Sequence, residues 1–153
     1  MPPSCDLIVV GGGPGGYASA LYAASAGLRV ALVEKDALGG TCLNRGCIPA
    51  KAFLETAAVH RHVEHAAEFG IESSAPSVNF AVTQQRKQRI VDGLVKGIAA
   101  MCKGRKVEVF NGVGALGPDH SVTVTAPDGT ATFNFDYVAA GIMTADQAGT
   151  LRA

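Results

Sequence analysis

Leu7-Ile8-Val9-Val10-Gly11-Gly12-Gly13-Pro14-Gly15-Gly16 is the stretch on which the fold turns. Four apolar residues running into a glycine cluster read as a parallel strand buried on both faces. The Ala-rich segment from Pro14 to about Ala26 reads as a helix that Gly27 stops. Arg29–Val33 reads as a second apolar strand, closed by Glu34. Together they form one βαβ unit. Within it Gly11, Gly13 and Gly16 have the spacing G-x-G-x-x-G. Gly11 permits the tight turn, Gly13 lets the backbone approach a pyrophosphate, and Gly16 lets the helix pack close to the sheet. The pyrophosphate then sits on the helix N-terminus, where N–H groups and the dipole favour an anion. Glu34 can accept hydrogen bonds from ribose hydroxyls. A glycine-rich turn with no ligand is the plain alternative. The strand before, the helix after and the acidic strand end together favour a nucleotide. The fingerprint does not separate FAD from NAD.

The chain has 153 residues, enough for one domain with a real core and too few for two large ones. Lys plus Arg equal Asp plus Glu, so the net charge is zero, which removes the simplest argument for a nucleic-acid or anionic-membrane partner. The first residues lack a basic n-region, and the apolar run after them is a strand rather than a signal peptide. No run approaches the roughly 20 apolar residues of a membrane span. A cytoplasmic location is the expectation, and there the four cysteines are not expected to be structural staples.

Beyond the first unit, Lys35–Gly46 is a glycine-rich loop. From about Cys42 or Ile48 to Phe69 the pattern is helical, with Ala52, Leu54, Ala58, Val63, Ala66 and Phe69 on one broad face. Asn79 can cap a further long helix reaching about Cys102, with a stripe that includes Val91, Leu94, Ile98 and Met101. After Gly104 the period becomes alternating. Lys106–Phe110, Ser121–Thr125 and Thr130–Phe135 read as strands, Pro127-Asp128-Gly129 as a hairpin turn, and Tyr137–Ala140 as the start of another apolar run. The remainder, Gly141–Ala153, has no clear pattern.

Shortly after the nucleotide loop comes Gly39-Gly40-Thr41-Cys42-Leu43-Asn44-Arg45-Gly46-Cys47-Ile48-Pro49-Ala50-Lys51. At the start of a helix, Cys42 and Cys47 would lie within about a turn and a half. A helix N-terminus and a nearby Arg45 or Lys51 would lower a thiol pKa, and the pair could cycle by exchange with an external disulfide. A zinc site would want a second ligand pair downstream, where Cys102 is the only later cysteine and belongs to an apolar face. A structural disulfide is disfavoured by compartment, and two inert packed cysteines are a third reading.

This segment resembles the redox-active stretch of the pyridine nucleotide–disulfide oxidoreductases. Leu43, Asn44 and Ile48 bring it nearest to the dihydrolipoamide dehydrogenase branch, rather than to the mercuric or glutathione reductase branches. The run Lys103–Val107 and the run Asn111–Gly114 resemble that branch too. The likeness covers residues 5 to about 141. It implies an α/β fold: a Rossmann-like FAD-binding domain with a parallel central sheet and a small antiparallel β-meander. Residues 1–142 would be the N-terminal part of that domain and 143–153 an unmatched tail.

The resemblance implies FAD at the fingerprint. Gly11, Gly13, Pro14 and Gly16 would face its pyrophosphate, Glu34 and Lys35 its adenosine end, and Gly114 the adenine side. Gly40, Thr41 and Cys42 would run beside it, with Lys51 near the flavin ring. Cys47 would be the charge-transfer thiol and Cys42 the interchange thiol. Dihydrolipoamide would reduce the disulfide, with electrons passing to FAD and then to NAD. The implied partner is a lipoamide-bearing protein of a 2-oxoacid dehydrogenase complex, and family members are homodimers.

Family members are longer, with an NAD domain and an interface domain that supplies a His–Glu pair to the partner subunit. No histidine here is assigned that role: His60, His62 and His65 read as solvated helix residues and His120 as a loop residue. Ala50 stands where the family has serine or threonine, at the expected cost of a local hydrogen bond. An FAD-binding module without turnover, or a related mercuric or glutathione-type reductase, is the alternative for this chain.

Overall fold

The structure is a computed structural model, and it describes residues 4–118, 121–126 and 129–140. The elements run β1 (Ser4–Val10), α1 (Pro14–Ser25), β2 (Val30–Glu34), α2 (Gly40–Asn44), α3 (Cys47–Glu64), a 3-10 turn (Ala66–Phe69), α4 (Phe80–Gly104), β3 (Glu108–Asn111), β4 (Val113–Gly117), β5 (Ser121–Ala126) and β6 (Gly129–Ala140). The strands form one sheet in the order β3-β2-β1-β6-β5-β4. β3, β2, β1 and β6 are mutually parallel neighbours, while β4, β5 and β6 are an antiparallel meander. The expected α/β class, parallel sheet and meander are all present.

The alternation of side chains along the inner strands divides the core in two. Val9, Val30 and Leu32 face the helices, where they meet Ala20, Leu43, Val91, Ile98 and Cys102. Ile8, Ala31 and Val33 face the other way and meet Val122, Val124, Phe133 and Phe135 of the meander. Period-2 geometry forces this split, and cover on both faces explains why β1 and β2 read as unbroken apolar runs.

Four expectations shift. The helix expected from about Cys42 or Ile48 is two helices, the second starting within one residue of Ile48, because Pro49 cannot sit inside a continuous one: its ring would collide with the carbonyl four residues earlier, at Arg45. Arg45 and Gly46 leave helical geometry, and α3 starts anew at Cys47, with Pro49 in its first turn. Second, the strand expected from Lys106 begins at Glu108, since Lys106 adopts a left-handed turn (φ 57°) that ends α4. Third, β4 falls in a glycine-rich run, with Gly114 and Gly117 among its residues, for which no strand is expected. Fourth, the two runs Thr130–Phe135 and Tyr137–Ala140 are one strand, β6. It pairs with β5 through its first half and with β1 through its second, Asn134 standing opposite both Ser121 and Ser4.

The helical faces are narrower than expected. On α3 Ala52 is buried, but Leu54 is 67% exposed, and Phe69 in the turn after it is 77% exposed. On α4 Val91, Ile98 and Cys102 are buried, while Leu94 and Met101 are exposed. Asn79 caps α4 as expected, its side-chain oxygen accepting from the Val82 N–H at 3.3 Å. The Pro127-Asp128 portion of the hairpin turn, His120 and the tail beyond residue 140 lie outside the described residues; Ala126 and Gly129 are paired on either side of that turn.

Candidate dinucleotide and dithiol site

The site lies where β1 and β2 end, at the C-terminal edge of the parallel strands. Gly16 shows why the fingerprint needs glycine. A β-carbon there would stand 1.7 Å from the Gly11 carbonyl oxygen, so α1 can start this close to β1 only with a bare Cα. Pro14 is the first residue of α1, and neither a capping side chain nor an acidic first-turn residue occupies that end. The Gly15 and Gly16 N–H groups therefore have no intrahelical acceptor. In front of Gly13, a β-carbon would meet nothing nearer than the Gly40 Cα at 4.0 Å. An uncapped helix end, an open approach and an adjacent carboxylate fit the diphosphate and ribose of a dinucleotide such as FAD.

Glu34 ends β2 and its carboxylate holds the loop: one oxygen accepts from the Gly12 N–H at 2.7 Å, the other from the Asp36 N–H at 2.8 Å. A carboxylate has about four lone-pair sites, so acceptor capacity remains for hydroxyls. Lys35 is exposed immediately after it. Gly114 lies on β4, where a β-carbon would come within 3.1 Å of Val10 and 3.3 Å of Val33, the residues preceding Gly11 and Glu34. Residues 112–117 repeat the spacing G-x-G-x-x-G, but they lead into and form a strand that is followed by β5 among the described residues, so they cannot make a second phosphate cradle of this type.

The dithiol segment is joined to this loop through backbone. The Gly39 N–H donates to the Gly12 carbonyl at 2.8 Å. Gly40, in left-handed conformation (φ 58°), passes so close to Gly13 that a β-carbon would lie 2.8 Å from the Gly13 Cα. α2 then carries Thr41 and Cys42, and Leu43 is anchored in the helix-side core. Cys47 is the first residue of α3, whose start has no side-chain cap. Cys42 and Cys47 are an unbridged dithiol.

The Cys42 thiol is pushed above its ordinary pKa, first by its hydrogen bond to the Cys47 sulfur and then by burial; Lys51 pulls it down, as a lesser influence. This departs from the expectation that Arg45 and Lys51 lower a thiol pKa. Arg45 is instead turned away to Asp36, in an exposed ion pair of 2.5 Å, while Lys51 acts in the expected direction but is outweighed. Cys102 is fully buried, and burial raises its thiol pKa, which leaves it a packing residue. Cys5, on β1, is likewise raised chiefly by burial.

Three contributors escape a sequence reading. Gly12 is the buried donor to Glu34, Asp36 the partner of Arg45, and Asn44 a brace inside the dithiol loop. Only Asn44, two residues from Cys42, had a positional signal. His60 faces Glu64 and His65 faces Glu68 along the surface. Among the described residues no group of three His, Cys, Asp or Glu could hold a metal ion, and no helix is long and apolar enough to cross a membrane. An open cavity of about 540 Å³, lined in part by Cys5, Arg29, Arg105 and Glu108, lies at the opposite ends of the strands and takes no part in this site.

Known proteins are similar to this chain in sequence and fold. The chain is 48% identical over 119 residues to a dihydrolipoyl dehydrogenase of Bacillus subtilis (strain 168), covering 77% of this chain and 25% of that protein. It is 40% identical over 130 residues to the dihydrolipoyl dehydrogenase of Chlamydia pneumoniae, covering 85% and 28%. The chain thus spans little more than a quarter of the length of these relatives. Among solved structures it is similar to a Cu(II) complex of the HOCl-induced flavoprotein disulfide reductase RclA from Escherichia coli. That match has a TM-score of 0.75 at 25% identity and covers 95% of this chain and 31% of that one. The flavoprotein neighbour and the family imply FAD here, with NAD expected in full-length members. Residues 5–142 match the family described as pyridine nucleotide-disulphide oxidoreductase, and with the relatives above this shows that the chain belongs to that family of oxidoreductases.

Proposed function

We propose that this chain is the FAD- and dithiol-bearing part of a dihydrolipoyl dehydrogenase, oxidising dihydrolipoamide to lipoamide with NAD as final acceptor. The observation that carries the reading is the backbone joint between Gly39 and Gly12, which seats the dithiol segment on the dinucleotide loop. Gly11, Gly13, Pro14 and Gly16 would hold the diphosphate, Glu34 and Lys35 the adenosine end, with Gly114 beside it. Gly40, Thr41, Cys42 and Lys51 would line the flavin side. FAD, when bound, supplies the two-electron relay between the dithiol and NAD.

The residues of this chain do the thiol chemistry. Cys42, whose thiol pKa is raised chiefly by its hydrogen bond to Cys47, is the interchange thiol. Cys47, the first residue of α3, faces the flavin. The two thiols of dihydrolipoamide reduce the Cys42–Cys47 disulfide: the lipoamide S–S bond forms, the protein S–S bond breaks, and both protons and both electrons pass to the protein dithiol. A lipoamide-bearing protein of a 2-oxoacid dehydrogenase complex is the partner.

The test is the visible spectrum of the chain loaded with FAD. A long-wavelength charge-transfer band is expected in Cys42→Ser and absent in Cys47→Ser. A band in neither variant, with flavin bound, would overturn the assignment of roles. The coverage of about a quarter of the relatives favours a second reading for the 153 residues alone, an FAD-binding module without turnover. Steady NADH oxidation by this chain would refute that second reading.

A further inference from the structure

Resting on the dithiol chemistry proposed above, we propose that Asn44 is a positioning residue that holds Cys42 within reach of Cys47. Cys42 sits in the middle of α2, a helix of only five residues. A helix that short has no stability of its own, and no side chain caps its start. Its thiol nevertheless meets the Cys47 sulfur, so something outside the helical hydrogen bonds must fix it.

Beside the burial of Leu43 in the core, two polar attachments do so. At the front, the Gly39 N–H donates to the Gly12 carbonyl. At the back, the Asn44 side chain folds over the loop that enters α2. Its Nδ2 lies 2.9 Å from the Gly40 carbonyl oxygen, 3.1 Å from that of Leu38 and 3.4 Å from that of Ala37. Three acceptors around one atom identify it as the amide nitrogen, because the amide oxygen could donate to none of them. The nitrogen carries two hydrogens, so Gly40 and Leu38 take one each and Ala37 shares. Asn44 is half-buried, which limits competition from water. It stands two residues after Cys42 and three before Cys47, so the brace closes the loop of the first thiol beside the second.

The consequence is thermodynamic. Closure runs with an external disulfide such as oxidised glutathione. The Cys42–Cys47 S–S bond forms and the glutathione S–S bond breaks. The two protein thiol protons end on two glutathione thiols, and two electrons leave the protein. How far closure proceeds depends on the local concentration of one protein thiol at the other. Without the brace α2 samples more positions, the thiols meet less often, and the protein disulfide becomes easier to reduce.

The 153-residue chain without added flavin is equilibrated in glutathione redox buffers and trapped by alkylation, and closed and open forms are counted by mass. Asn44→Asp keeps the shape and removes the donor. Its closure constant is expected to fall about tenfold, equivalent to about 30 mV, and Asn44→Gln, which keeps a donor amide, should recover at least half of that loss on a logarithmic scale. A merely structural role would lower the unfolding midpoint and leave the closure constant alone. A closure constant in Asn44→Asp within twofold of wild type overturns the proposal. Failure of wild type to close in any buffer overturns the dithiol reading itself, and the proposal with it. A second measurement needs no variant. The side-chain amide protons of Asn44 should exchange with solvent at least tenfold more slowly than those of exposed Asn111, and equal rates overturn the brace.

Discussion

At Gly16 the site depends on the absence of a single carbon. Gly16→Ala would drive a methyl into the Gly11 carbonyl, a backbone atom with no rotamer to escape into. We expect a loss at the upper end of overpacking costs, about 3 kcal/mol, measurable by urea unfolding, together with loss of FAD retention. The Cys42 thiol offers a sharper test. Its pKa is raised chiefly by the hydrogen bond to Cys47, so Cys47→Ala should let it fall toward the ordinary thiol value. The pH profile for alkylation of Cys42 should then move to lower pH; a profile that stays or rises contradicts the cause given. Asp6 behaves in the opposite sense. The Arg29 guanidinium, and then the Arg29 N–H, hold its carboxyl below the ordinary value. A carboxyl depressed in the folded state contributes stability above its unfolded pKa of about 4 and loses it as pH falls through the folded value. Asp6→Asn should therefore flatten the dependence of the unfolding midpoint on pH at the acid end.

Among the elements, α4 is the one whose beginning is written most plainly. Asn79 accepts from the Val82 N–H and leads into 25 helical residues. Asn79→Ala should lower stability by about 1 kcal/mol, seen as a drop of roughly 3 °C in Tm for a chain of this size. The Asp36–Arg45 pair, by contrast, joins two exposed side chains, 50% and 65% accessible. Its removal by Asp36→Asn is expected to change unfolding by less than about 1 kcal/mol, so any larger effect would point to the Asp36 backbone and Glu34 instead. The break between α2 and α3 was legible in principle from Pro49, since a helix cannot run through it from Cys42. The apolar periodicity on both sides concealed it.

Over the whole molecule, β6 ties the parallel sheet to the meander, and the meander roofs one sheet face while the helices cover the other. Phe133 sits in the roof, 4% exposed, its ring 4.5 Å from that of Phe110 on β3. Because β6 is shared, Phe133→Ala should destabilise the chain as a unit, by about 3–5 kcal/mol. Urea transitions followed by helix circular dichroism and by thiol reactivity of buried Cys102 should remain coincident. Separate transitions would mean that the meander unfolds alone.

The sequence by itself determined the first βαβ unit, the capped start of α4 and the pairing of a nucleotide loop with a dithiol. Each of these rests on contacts between near neighbours, where local sterics and periodicity decide. Only the tertiary structure decided that β6 is one strand, that Gly112–Gly117 lead into a strand rather than a cradle, and that Gly39 docks on Gly12. It also decided that Arg45 turns to Asp36 while Cys47 raises the pKa of the Cys42 thiol. Those outcomes depend on which distant backbone groups and charges come within a few ångströms, and spacing along the chain does not encode that.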